Sequence, residues 1–231
     1  MLFVFVFLLE LFLLYFLSKN LIKELSVILL KISKYNHSFT VNILAVVFLP
    51  GTIMHELAHL LIAGVLMVPV GELEVIPEIT DKGVKLGSVQ VGQTDPFRRI
   101  LIGVAPVLVG IATITFIIFF NLDTLKNLSS WLIISSVVYG LFEVSNTMFS
   151  SKKDIEGALV FLGALVVVGV ILFGAFLFTG QSIPNSWLKL VDFSSVYIFF
   201  KMVSLYMLLP LIIDLCFFAV FKLVNLALNR G

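Results

Sequence analysis

His55, Glu56 and His59 stand together in one apolar stretch of the chain, residues 49–64. The two histidines are four residues apart, so on a helix their imidazoles project from one face and can reach a single metal ion. This H-E-x-x-H spacing is typical of a site in which both histidines bind Zn²⁺ and the glutamate acts as general base toward water. The pattern predicts a zinc-dependent peptidase with His55 and His59 as metal ligands and Glu56 as the catalytic residue.

The surroundings of this motif favour a functional site over a chance occurrence. His55 and His59 are two of only three histidines in the chain, and their neighbours are mostly Leu, Ile, Ala, Val and Met. An ionisable group at membrane depth costs ~2.5–3.5 kcal/mol on insertion scales, so it is retained for a reason. The structural alternative is a polar cluster that packs helices together. The third histidine, His37, is expected in the turn before this helix, apart from the pair.

The composition is that of an integral membrane protein. Of the 231 residues, 60% are hydrophobic and only 13% are charged, and the mean hydropathy is +1.15, well above the balance of a soluble domain. Apolar runs recur along the whole length, so residues 1–231 are expected to form one membrane domain. A net charge of +1 gives no reason to expect a nucleic-acid partner. The single cysteine, Cys216, excludes an internal disulfide and is expected to serve in packing.

The pattern of apolar runs and turns predicts an all-α polytopic membrane protein with about six transmembrane helices and a small β-hairpin after the H-E-x-x-H helix. The spans are predicted at residues 2–18, 41–68, 100–120, 131–149, 155–179 and from about 196 into the 220s. After the first span, residues 21–34 have lysines on one side, which predicts either an interfacial helix or a prolongation of that span. This divides the chain into an N-terminal part (1–38), a catalytic core (41–160) and C-terminal spans (161–231).

Residues 69–96 contain two partly alternating segments separated by a turn signal at residues 81–83, which predicts a β-hairpin. A free strand edge so close to a protease motif is a place where an extended substrate could add as another strand; a plain surface hairpin is the alternative.

Pro50 and Gly51 are expected to loosen or kink the helix that carries the motif. Close helix contact in the third span is predicted from a stripe of small residues: Gly103, Ala105, Pro106, Gly110 and Ala112.

A catalytic zinc usually has three protein ligands and one open position, so the two histidines need a third partner. Three acids are candidates. Asp154 lies where one predicted helix ends and the next begins, and Glu156 follows it closely. Glu143 lies deeper in its helix, like the third ligand of soluble proteases that use two His and one Glu. These residues alone leave the choice among the three open.

The order of elements resembles that of the site-2 protease family, which are intramembrane zinc metalloproteases. That family has an H-E-x-x-H helix, a membrane-associated β-hairpin, a small-residue helix and a later N-x-x-P-x-x-x-x-D-G segment that supplies the third ligand. Here Asn146 and Asp154 keep the eight-residue spacing, whereas Phe149 stands in place of the proline and Ile155 follows the aspartate. The likeness covers about residues 41–160.

By this resemblance, Asp154 completes the zinc site, and Asn146 helps to hold the substrate backbone or the oxyanion. An alternative role for Asn146 is to cap or pair helices. The implied activity is hydrolysis of peptide bonds in or near membrane segments of substrate proteins within the lipid bilayer. Glu10 and Asp214 are expected to form interhelical hydrogen bonds or to face a polar pore.

Two other functional hypotheses fit the same residues. In the first, the protein is a metal-ion transporter or metal-binding membrane protein that uses the His/Glu/Asp cluster as a transit site. In the second, it binds substrates without cutting them, which the intact His55, Glu56 and His59 argue against. Replacement of Glu56 distinguishes a transporter from a protease. In a protease it would reduce proteolysis, whereas in a transporter it would alter metal flux with no proteolysis to lose.

Overall fold

The computed structural model describes residues 2–74, 78–80, 83–85, 87–127, 131–149, 160, 163–164, 167–171, 174–175 and 193–229. This part of the chain is mostly helical, with two pairs of short antiparallel strands between the second and third helices. The helices are α1 (Leu2–Ile32), α2 (His37–Val65), α3 (Pro96–Asn127), α4 (Trp131–Thr147) and α5 (Phe193–Leu228).

Four of these helices are long and apolar enough to cross a membrane: α1, α2, the part of α3 up to Asn121, and α5. Helix α4 has 17 residues and is shorter than the ~20 that a straight crossing needs. The predicted helical membrane-protein fold with an inserted hairpin is therefore confirmed. The predicted fifth span, 155–179, lies largely outside the described residues, and those described within it are helical.

Helix α1 continues without a break through the segment for which a separate interfacial helix was considered. No glycine or proline interrupts residues 18–32, so nothing stops the first span from extending. Leu21 is fully buried. Lys31 donates to Asn225 of α5 and, at 2.7 Å, to Asn229 in the turn that follows α5. The polar side of this segment therefore contacts α5, and the prolongation of the span is the correct alternative.

Helix α2 begins at His37, four residues before the predicted start at residue 41. Asn36 is its N-cap, because the Asn36 side chain accepts a hydrogen bond of 3.0 Å from the backbone N–H of Phe39. His37 thus lies in the first turn of the helix and is exposed, whereas it was expected in the preceding turn. The helix ends at Val65, and Met67 then adopts a positive φ of 56° as the chain turns toward the first strand.

The predicted hairpin is present and consists of two paired segments. Strand β1 (Val70–Glu74) pairs antiparallel with β4 (Ser88–Val91), and β2 (Glu78–Thr80) pairs with β3 (Gly83–Lys85). The register of β1 on β4 shifts near Val70, which indicates a bulge at the base. Among the described strands each has one neighbour, so each pair has open outer edges. The predicted turn residues 81 and 82 lie outside the described residues.

Helix α3 begins with Pro96 after an aspartate that caps it. Asp95 Oδ1 accepts a hydrogen bond of 3.0 Å from the backbone N–H of Arg98, which lowers the pKa of the Asp95 carboxyl. Further along, a Cβ atom on Gly110 would lie 2.8 Å from Met148 Cβ of α4. The small-residue contact is thus present at Gly110, but the stripe was extended too far, since Ala112 is exposed.

Helix α4 lies at the centre of the described structure and contacts α1, α2, α3 and α5. All residues from 141 to 149 are buried. Leu141 and Met148 share one apolar cluster with Leu14 of α1, Ile114 of α3 and Met207 of α5. Because this segment is enclosed by protein on every side, each polar group of α4 must find its partner within α4 or on a neighbouring helix.

Candidate active site

The three residues of the H-E-x-x-H motif lie inside α2 and are buried. His55 and Glu56 are each 2% exposed, and His59 is 8% exposed. The centroids of the two imidazole rings are 4.9 Å apart, and the ring planes are nearly perpendicular at 83°. The structure thus brings both histidines to one face of the helix, one turn apart, as their spacing predicts.

The ring of His59 is oriented by the neighbouring helix α3. His59 Nδ1 lies 2.8 Å from the backbone carbonyl oxygen of Ile102. A carbonyl can only accept, so Nδ1 carries the proton and donates it, which leaves Nε2 as the ring nitrogen suited to coordinate a metal ion. Metal-binding histidines are usually held in this way by a carbonyl or carboxylate. The hydrogen bond therefore fits His59 to a role as a metal ligand through Nε2.

The third ligand is not supplied by the described residues. Among them, no three side chains of His, Cys, Asp or Glu are arranged to hold a metal ion. Asp154 and Glu156 lie outside the described residues. The donors present, two imidazoles one turn apart with one tautomer fixed, fit two of the three protein ligands of a catalytic zinc.

Glu143, the remaining candidate for the third ligand, contacts the backbone of α2. Its Oε2 accepts a hydrogen bond of 3.0 Å from the N–H of Gly51, one turn before His55. The carboxyl is buried, with 2% of the residue exposed. The structure thus gives Glu143 a hydrogen-bond partner on the motif helix. This contact differs from the role of third zinc ligand that was considered for Glu143.

Two more residues of α4 contact the same part of α2. Tyr139 donates from its hydroxyl to the backbone carbonyl of Val47 at 2.9 Å. A Cβ atom on Gly51 would lie only 2.5 Å from Thr147 Oγ1. Sequence reasoning missed Tyr139 and Thr147, although their spacing of four residues to either side of Glu143 marks one face of a helix.

Asn146, the predicted substrate-binding residue, takes part in pairing helices. Its Nδ2 donates to Asp214 Oδ1 of α5 at 2.8 Å, and its backbone carbonyl accepts from Ser18 Oγ of α1 at 2.9 Å. Its side-chain oxygen, Oδ1, is buried without a hydrogen-bond partner among the described residues. The amide nitrogen thus has the helix-pairing role considered as the alternative.

Glu10 and Asp214 form interhelical hydrogen bonds, as the sequence predicts. Asp214 is fully buried and accepts from Asn146. Glu10 of α1 is 3% exposed and accepts from Ser204 Oγ of α5 at 3.1 Å. The first bond joins α4 to α5, and the second joins α1 to α5.

Comparisons of the chain with protein-family models, with curated proteins and with solved structures gave no match. The likeness to site-2 proteases therefore depends on the residues and the order of elements described above.

Proposed function

We propose that this chain is a multi-pass integral membrane protein that acts as a zinc-dependent endopeptidase, similar to site-2 proteases. It would hydrolyse peptide bonds in or near membrane segments of substrate proteins. The observation that carries the proposal is the buried His55, Glu56 and His59 set on α2, in which the Ile102 carbonyl holds His59 by Nδ1. A histidine fixed in this tautomer next to a second histidine is arranged for metal binding.

In this proposal His55, His59 and Asp154 would hold the zinc ion. When bound, zinc supplies Lewis-acid chemistry, which makes water a nucleophile at neutral pH and stabilises negative charge on the carbonyl oxygen of the scissile bond. The hydrogen bond between His59 and Ile102 fixes the orientation of one imidazole in advance, so this ring does not have to be ordered during the reaction.

Glu56 would be the general base and then the general acid. It follows His55 directly in the helix, so its carboxylate belongs beside the metal ligands. It would take a proton from the attacking water and deliver that proton to the nitrogen of the leaving amine. The unpartnered Oδ1 of Asn146 would accept a hydrogen bond from a substrate backbone N–H.

The substrate would be a membrane-spanning or membrane-anchored segment that unwinds locally. A helix in lipid satisfies its backbone groups internally, so a scissile bond is accessible only in an extended stretch. The sheet of β1 and β4 follows directly after α2 and packs near its end through Val70, Val91 and Ala63. An extended substrate could add to an open edge of this sheet and so enter the site.

The test compares wild type with Glu56→Gln, purified in detergent and reconstituted with a single-span substrate. Glutamine keeps the size of the side chain but cannot take a proton, so turnover should fall by ~10²–10⁴. Zinc content and binding of the uncut substrate should be unchanged. Glu24→Gln makes the same chemical change in α1, where Glu24 accepts a hydrogen bond from Asn225, and should cleave normally.

Cleavage by Glu56→Gln at the wild-type rate would refute the catalytic role. If wild type cuts no substrate while it moves zinc across vesicle membranes, the transporter hypothesis replaces the protease. Glu56→Gln would then alter zinc flux.

A further inference from the structure

The helix that carries the motif continues through a proline, Pro50, about one turn before His55. Pro50 has no backbone N–H, so the carbonyl of Val46 receives no helical hydrogen bond from residue 50, and the proline ring crowds the preceding turn. Such a site is a hinge unless other groups fix it, because the direction of the following helix is then less well determined. His55, Glu56 and His59 all lie on the far side of this hinge.

Two side chains of α4 bind the backbone of α2 on both sides of Pro50. Glu143 accepts from the N–H of Gly51 at 3.0 Å. Tyr139 donates to the carbonyl of Val47 at 2.9 Å. One bond satisfies a donor and the other an acceptor, and the two side chains are a turn apart on one face of α4.

The two helices are in direct contact at this point. A Cβ atom on Gly51 would lie 2.7 Å from Thr147 Cγ2 and 2.9 Å from the backbone oxygen of Glu143. The Thr147 hydroxyl is itself held, since it donates to that backbone oxygen at 2.7 Å. This bond lies within α4 and fixes the side chain that contacts Gly51.

A buried carboxyl in this setting is costly, which favours a specific role over plain packing. Apolar side chains such as Leu141 fill other buried positions of α4. Gly51 and Glu143 are themselves buried, so bulk water does not replace a lost acceptor for the Gly51 N–H.

We propose that Glu143 and Tyr139 are positioning residues for the catalytic turn of α2. By holding the backbone on both sides of Pro50, they set the direction in which the His55–His59 turn leaves the kink. This inference rests on the proposed protease function, and it assigns Glu143 to the backbone of α2 instead of to zinc.

The first test replaces the carboxyl. Glu143→Leu removes the acceptor, and a displacement of the catalytic turn by about 1 Å is expected to lower kcat on the order of 10²-fold. Zinc content at saturating zinc should stay at the wild-type value. Glu143→Gln keeps an acceptor oxygen and should restore activity. Glu10→Leu removes another buried carboxyl that accepts from a neighbouring helix and should leave kcat unchanged.

The second test couples Glu143 to the kink. Pro50→Ala restores an N–H at residue 50 and with it the regular helix, in which Gly51 can bond to Val47. Glu143→Leu should therefore have almost no effect in a Pro50→Ala background. An undiminished effect of Glu143→Leu in that background would overturn the proposal. So would a loss of zinc in Glu143→Leu, because it would make Glu143 a ligand.

The third test needs neither zinc nor substrate. Ala63 of α2 and Ile102 of α3 lie in one buried apolar cluster beyond the kink, so the rate of disulfide crosslinking between Ala63→Cys and Ile102→Cys reports where the second half of α2 lies. With the native cysteine replaced by Cys216→Ala, Glu143→Leu should slow this crosslinking and Glu10→Leu should not.

The crosslinking readout separates the two proposals. An equal crosslinking rate in Glu143→Leu and in the parent would overturn the positioning role. If Glu143→Leu slows crosslinking in a protein that cleaves nothing, the protease proposal fails while the role of Glu143 in placing α2 stands. The effect of Glu143→Leu in the Pro50→Ala background can also be measured by the crosslinking rate. This measurement gives a result even if the Pro50→Ala protein is inactive.

Discussion

His59 Nδ1 of α2 and the backbone carbonyl oxygen of Ile102 of α3 are 2.8 Å apart and share one hydrogen bond. Because the acceptor belongs to the backbone, no side-chain substitution at residue 102 can remove it directly. The bond joins the motif helix to α3 eight residues before Gly110, where α3 packs closely against Met148. The orientation of a candidate zinc ligand is thus set by the packing of two helices.

We expect His55→Ala and His59→Ala each to lose stoichiometric zinc. Removal of one of three ligands opens a second position and weakens binding strongly. His37→Ala is the matched control, since His37 is the third histidine of the chain and is exposed in the first turn of α2. Metal analysis of the purified proteins measures the outcome. Normal zinc content and activity in His59→Ala would refute the metal site.

The third ligand can be identified by comparing three acids. Asp154→Ala should remove zinc, whereas Glu156→Ala and Glu143→Ala should retain it at saturating zinc. The expectation for Asp154 follows from its eight-residue offset from Asn146, and that for Glu143 from its bond to Gly51. Zinc content per chain decides the matter. If Asp154→Ala keeps its zinc, the ligand is whichever acid proves necessary.

Gly51→Ala should destabilise the fold. The new methyl group would overlap Thr147, and overpacking of this kind costs about 1–3 kcal/mol. Gly64→Ala is a control in the same helix, since no described atom lies within 4 Å of a Cβ built there; it should be neutral or stabilise by up to ~1 kcal/mol through helix propensity. Thermal unfolding in detergent measures both. Equal stability of the two variants would contradict the close contact.

Asp214→Ala should lower stability by about 1–3 kcal/mol, because the Asn146 amide loses its buried acceptor on α5 and keeps only acceptors on α4. Asp214→Asn keeps an acceptor oxygen and should lose less. Zinc content should be unchanged in both, since Asp214 bonds to Asn146 and is not one of the proposed zinc ligands. Loss of zinc in Asp214→Asn would instead place Asp214 in the metal site.

The local features of the chain were readable from its sequence. The H-E-x-x-H spacing alone places both histidines on one face of a helix, because a regular helix fixes that geometry. The antiparallel pairing of β2 with β3 follows from residue chemistry just as local. The long apolar runs predicted the four candidate membrane-crossing helices, although α2 starts four residues earlier than predicted and the predicted span 131–149 contains the shorter helix α4.

The partners of the polar groups were decided only by the tertiary structure. In a membrane the side of a helix that faces lipid and the side that faces protein are both apolar, so hydropathy does not reveal which residues meet. The bonds from Glu143 to Gly51 and from Asn146 to Asp214 join residues 92 and 68 positions apart in the chain. Their pairing follows from the central place of the short helix α4, because a buried polar side chain that its own helix does not satisfy needs a partner on one of the helices around it.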